Sequence, residues 1–143
     1  GERLRTEGGE FGVSTGRPRR CGWLDLVAVK HAVAINGPAS LALTKIDLLD
    51  SFEPAILGKA YRLNGTTIDT VPDTRVLETV EPVYESLAGW DEPSAGLRIW
   101  DDLPANARRY VERIEEIVGV PISLVGTGRH RDDLIVRELP EGW

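Results

Sequence analysis

Two short apolar runs, each delivered into a polar or glycine-rich turn, constrain the fold of this chain more than any other feature. Leu41-Ala42-Leu43 leads into Thr44-Lys45-Ile46-Asp47, and Val120 to Val125 leads into Gly126-Thr127-Gly128. The first run does not alternate apolar with polar residues, which suits an interior strand of a parallel sheet covered on both sides. In open α/β sheets, ligands bind beyond the carboxyl ends of such strands. The pattern predicts an α/β fold with a ligand edge at residues 44–47 and 126–128.

Other segments fit around that sheet. Leu24 to Asn36 is apolar on nearly every face, with Asp25 near its start and Gly37-Pro38 as its stop, and predicts a mostly buried helix. Leu57–Leu63 and Thr66–Val71 flank Asn64-Gly65, the pair favoured by a type I′ turn, and Glu81–Leu87 adds a third antiparallel strand. Residues 88–103 read as a long loop pinned by Trp90 and Trp100. A second helix follows Pro104, with Ala107, Tyr110, Val111, Ile114, Ile117 and Val118 as its apolar stripe and Gly119 and Pro121 as its stop. Residues 1–23 show little periodicity and read as an ordered loop region or as a stretch partway through a larger fold. At 143 residues the chain has the size of one ordinary domain.

Charge narrows the partners. Seventeen Lys and Arg stand against 23 Asp and Glu, a net charge of −6, which argues against a nucleic-acid or anionic-lipid surface. Only Lys30, Lys45 and Lys59 are lysines, so positive charge is mostly arginine, the side chain suited to forked contacts with carboxylate or phosphate. Lone Cys21 has no disulfide partner and no Cys or His at zinc-ligand spacing, and points to a reducing compartment. No apolar run reaches membrane-spanning length and the start lacks a signal-peptide core, so the chain reads as soluble and cytoplasmic.

Three stretches carry candidate chemistry. An aspartate at the end of Thr44-Lys45-Ile46-Asp47 can accept from the ring N–H and exocyclic amine of guanine while the lysine stem lies along the purine; a strand-ending lysine followed by a turn-capping aspartate would look the same. Gly126-Thr127-Gly128 lets backbone N–H groups approach a ligand carbonyl, or is a plain turn. In Gly12-Val13-Ser14-Thr15-Gly16-Arg17-Pro18-Arg19-Arg20, hydroxyls, amides and forked guanidinium groups match a carboxylate or phosphate, or form a solvated basic loop. His31 and His130 read as packed or solvated, and Glu115 and Glu116 as surface charge.

Taken in order, EFGVSTGRPRRCGWLDLV, ALTKIDLLD, AYRLNG, VEPVYESLAGW and GVPISLVGTGR resemble the C-terminal part of adenylosuccinate synthetases over nearly the whole chain. The resemblance implies part of a large, mostly parallel α/β sheet related to P-loop nucleotide-binding proteins, with a small antiparallel insertion at 57–87 and a terminal helix and strand at 104–128. It implies a ligase that joins IMP and L-aspartate to form adenylosuccinate, uses GTP as co-substrate, needs Mg²⁺ and works as a homodimer. In the family, GTP phosphorylates the purine O6 and the aspartate amine displaces that phosphate. Within the loop 11–20, Val13, Ser14, Thr15, Gly16, Arg17, Pro18 and Arg19 match the aspartate-binding loop; Arg17 also matches an IMP contact, and Arg19 a GTP contact. Lys45, Ile46 and Asp47, in the segment 44–47, and Gly126, Thr127 and Gly128 match the GTP-binding elements that read guanine.

Two positions depart from the family pattern: Pro18 stands where many members have a basic residue, and Gly126 where a serine is common. The family's phosphate-binding glycine-rich segment, its aspartate base and its histidine acid have no counterpart in these residues. No catalytic residue or metal ligand is therefore expected in this segment, Mg²⁺ ligands are expected outside it, and the chain alone is expected to be inactive. The alternative is a stand-alone guanine-nucleotide or dicarboxylate binding module without catalysis.

Overall fold

The computed structural model describes residues 1–138. Its elements run α1 (Glu2–Gly8), β1 (Leu24–Asp25), α2 (Leu26–Asn36), β2 (Leu41–Leu43), a 3₁₀ turn (Ile46–Leu49), β3 (Ala55–Leu63), β4 (Thr66–Ile68), α3 (Thr74–Leu77), β5 (Glu81–Leu87), a 3₁₀ turn (Trp100–Asp102), α4 (Ala105–Val118), β6 (Ile122–Gly126) and β7 (Leu134–Val136).

These form an α/β fold whose described strands lie in two small mixed sheets. In the first, β5 runs antiparallel along one edge of β3, while the parallel β1 and antiparallel β4 share the other. Asn64 and Gly65 join β3 to β4 with φ of 50° and 81°, the left-handed pair that a type I′ turn requires. In the second sheet β6 is central, with β2 parallel on one side and β7 antiparallel on the other. β2 is thus an edge strand among the described residues, not the interior strand its apolar run predicts; Leu41 and Leu43 are half-buried and Ala42 is exposed.

One apolar cluster joins both sheets. Ala107, Tyr110, Val111, Ile114 and Val118 of α4 pack in it with Leu57 of β3, Ile122 and Val125 of β6, and Ile135 of β7. The stripe recurs every three or four residues and so lies on one face, and left-handed Gly119, at φ 77°, ends the helix. Truncating a side chain as buried as Ile114 to alanine costs about 2–5 kcal/mol.

Three local expectations change. Residues 2–8 are helical: a helix this short is marginal alone, but Arg3 pairs with Glu7 at 2.8 Å, reaches the Asp50 and Ser51 carbonyls, and lies over the Phe52 ring at 4.1 Å. α2 begins at Leu26, capped by Asp25 Oδ1, which accepts from the Val27 and Ala28 amides at 3.0 and 3.2 Å. It is buried only at Leu26 and Val27 within the described residues, and Ile35 is largely exposed. Glu115 is not free surface charge: its Oε1 accepts from the Ile122 amide and from Arg137, each at 2.6 Å, fastening the end of α4 to the start of β6.

Candidate active-site edge

The parallel pairing of β2 with β6 sets Leu43 opposite Val125, so residues 44–47 and 126–128 leave the sheet at the same edge. A Cβ on Gly126 would stand 3.3 Å from the Thr44 Cα, so the two segments approach backbone to backbone. Lys45 turns the chain out of β2 with φ 63°, a left-handed conformation uncommon outside glycine, and the 3₁₀ turn that follows carries Asp47. Asp47 is half-buried, and its Oδ1 has no hydrogen-bond partner among the described residues. Burial raises its carboxyl above the ordinary aspartate range, against the pull of Lys45 and Arg129.

The turn after β6 is held from within. Thr127 is fully buried; its hydroxyl donates to the Leu97 carbonyl at 2.8 Å, its amide to the Asp133 carbonyl at 2.9 Å, and its carbonyl accepts from Gly96 at 3.0 Å. Any Cβ on Gly128 would overlap the Asp133 carboxylate, which also accepts from the His130 amide at 3.0 Å. Thr127 therefore shapes the turn, and the Gly128 amide is left without an acceptor among the described residues. Asp133 is an organiser that sequence reasoning missed, since only the folded turn brings it back onto Gly128. His130 and His31 are both exposed.

The arginine loop projects into solvent beside this edge. Phe11 bridges Pro18, the Gly12 amide donates to the Arg17 carbonyl, and the Gly16 amide to the Gly12 carbonyl, both at 2.8 Å. Thr15 Oγ1 accepts from the Arg17 amide at 3.3 Å, and Gly16 is left-handed at φ 63°. Among the described residues the amides of Val13, Ser14 and Thr15 have no acceptor, and all three residues are exposed, which leaves consecutive donors unpaired. Gly12, Thr15, Arg17, Pro18, Arg19 and Arg20 line a shallow open depression. Such a loop can receive an anion by forked and backbone donors together.

Glu10, which no motif singled out, ties this loop to the sheet edge: Arg19 pairs with its Oε2 at 3.1 Å, and Lys45 pairs with its Oε1. Those cations, Lys45 first, hold its carboxyl below the usual range. Behind the edge, the Asp50 carboxylate accepts from Trp90 Nε1 at 2.6 Å, the Ser94 hydroxyl at 2.7 Å and the Ser94 amide at 2.8 Å, and so secures the loop that follows β5. Among the described residues, no three or more His, Cys, Asp or Glu side chains cluster as a cation site. No described helix is long and apolar enough to cross a membrane.

Residues 1–135 match the family model of adenylosuccinate synthetase. The chain belongs to the adenylosuccinate synthetase family. It is 50% identical over 141 residues to the adenylosuccinate synthetase of Moorella thermoacetica, covering 98% of this chain and 33% of that protein. It is likewise 50% identical over 139 residues to that of Schizosaccharomyces pombe, covering 96% of this chain and 32% of the relative. Its fold superposes on the fully ligated adenylosuccinate synthetase of Plasmodium falciparum with a TM-score of 0.91 at 36% identity, covering 96% of this chain and 34% of that one. The chain thus spans about a third of the length of the synthetases it matches.

Proposed function

We propose that this chain is the C-terminal portion of an adenylosuccinate synthetase, a cytoplasmic homodimeric ligase that joins IMP to L-aspartate with GTP as co-substrate. Its part is recognition. The observation that carries the reading is the juxtaposition of Lys45 and Asp47 with Gly126, Thr127 and Gly128 at one sheet edge, where the buried Asp47 Oδ1 has no donor among the described residues. An ionised carboxylate there accepts from the guanine ring N–H and exocyclic amine, the Lys45 stem lies along the purine, and the Gly128 amide donates to the guanine carbonyl.

In the arginine loop, Arg17 and the amides of Val13, Ser14 and Thr15 hold a carboxylate of aspartate, placing its amine for attack on the purine carbon that loses phosphate. Pro18 fixes the backbone between Arg17, which also reaches IMP, and Arg19, which reaches GTP. Mg²⁺, when bound, neutralises charge on the transferring phosphoryl group. Among the described residues no three or more His, Cys, Asp or Glu side chains cluster; in this reading the Mg²⁺ ligands, the phosphate-binding segment and the proton-transfer groups belong to the rest of the full-length polypeptide, as do the partner strands of a larger parallel sheet. The 143-residue chain by itself is then inactive.

The reading is tested with Asp47→Asn in the full-length polypeptide that carries this sequence. An amide offers an N–H₂ where guanine also presents one. GDP affinity should fall roughly 10- to 100-fold, the size of losing hydrogen bonds to a charged group, while XDP, with a carbonyl in place of the amine, should bind relatively better. Equal GDP binding by wild type and variant refutes the assignment.

A further inference from the structure

Cations from separate motifs converge on the end of α1, just before the arginine loop. Arg129, next to the Gly126-Thr127-Gly128 turn, donates to the Glu7 carbonyl at 2.9 Å. Lys45 Nζ donates to the Gly8 carbonyl at 3.4 Å and pairs with Glu10 Oε1. The other Glu10 oxygen pairs with Arg19 at 3.1 Å. The Glu10 backbone is held as well: its amide donates to the Arg5 carbonyl at 2.9 Å, and its carbonyl accepts from the Arg19 amide at 3.0 Å, closing the base of the loop. The Glu10 side chain is only 22% exposed, against 43% for Lys45 and 58% for Arg19, so the carboxylate is the inner member of the trio.

We infer that Glu10 is a positioning residue that shares one carboxylate between Lys45 and Arg19 and so sets the guanine edge and the aspartate loop in register with each other. The inference rests on the functions assigned above to those two ends. Lys45 and Asp47 belong to one turn, so a purine engaging Asp47 settles against the Lys45 stem. The ammonium is anchored to Glu10, and Glu10 is anchored by side chain and backbone to the base of the loop carrying Arg17. Holding both ends in advance removes an ordering cost from each ligand. Loss of the shared carboxylate therefore weakens both.

Steady-state kinetics of the full-length polypeptide test this, each KM measured with the other substrates saturating. Glu10→Gln keeps the shape and removes the charge; it should raise the KM for GTP and the KM for aspartate together, each roughly five- to twentyfold, the lower range of coupling between sites, with kcat changed less. Lys45→Met, an alteration at the guanine end, should also raise the aspartate KM, and it decides the matter if Glu10→Gln fails to fold. A rise in only one KM with Glu10→Gln, or an unchanged aspartate KM with Lys45→Met, overturns the inference. Asp47→Asn and Arg17→Leu serve as controls: if the first leaves the GTP KM unchanged or the second the aspartate KM, the underlying assignment of the two ends has failed instead.

Discussion

Thr44 and Gly126 leave neighbouring parallel strands so close together that a Cβ on Gly126 would lie 3.3 Å from the Thr44 Cα. The neighbour is backbone and moves only with its strand. A single added carbon asks for a shift of a few tenths of an ångström, which alanine or serine can obtain; the branched carbons of valine ask for more. Gly126→Val should destabilise by roughly 1–3 kcal/mol, the usual cost of overpacking, and Gly126→Ala by less. Urea denaturation of both variants checks the order, and equal stabilities would contradict the close approach.

Asp50 should be among the costlier polar positions. Trp90 and Ser94 are almost wholly buried, and their indole N–H, hydroxyl and amide all donate to its carboxylate. Asp50→Ala orphans these donors at about 1–3 kcal/mol each, so a total loss of about 3 kcal/mol or more is expected. Asp50→Asn keeps one acceptor oxygen and should lose less. An alanine variant within about 1 kcal/mol of wild type would mean that the network contributes little.

Acid should weaken the joint between β5, β3 and α4. Glu85 accepts from Arg113 at 2.7 and 3.1 Å and from Lys59 at 3.1 Å, and these partners, Arg113 first, pull its carboxyl from 4.5 down to about 2. A carboxyl lowered in the folded state stabilises the fold above its unfolded value, and that contribution is lost as pH falls from about 4.5 through about 2. Thermal midpoints measured across that window should fall for wild type and fall less steeply for Glu85→Gln. Parallel curves would assign the acid loss elsewhere.

For Arg17, the guanidinium has no partner among the described residues and lies in the open depression of the loop. Arg17→Leu in the full-length polypeptide should raise the aspartate KM roughly 10- to 100-fold, as expected for losing charge-assisted hydrogen bonds, and leave the melting temperature nearly unchanged. An unaltered aspartate KM would remove Arg17 from the carboxylate site.

Elements with a local cause are legible in the amino-acid sequence. The α4 stripe repeats at helical spacing between Pro104 and Gly119, and Asn64-Gly65 dictates a turn that few other pairs adopt. Elements whose cause is distant are not. Helix α1 depends on Arg3 reaching Asp50, Ser51 and Phe52, and the three-residue strand β7 depends on pairing with β6. Glu115 reads as surface charge because nothing in its neighbourhood of sequence reveals Ile122 or Arg137 beside it.

The same division holds at the site. Residue types set the chemistry available: arginines and hydroxyls in one loop, a lysine and an aspartate after one apolar run, glycines after another. Tertiary structure decided which of these meet. Parallel pairing of β2 with β6 brings the second and third groups to one edge, and Glu10 joins the first to them. It also distinguished roles that look alike in sequence, with Thr127 buried and bonded within the turn and Asp47 keeping an oxygen unpartnered among the described residues. Residue identity fixes what a side chain can donate or accept, but its partner depends on strand register and long-range packing, which no local stretch of sequence contains.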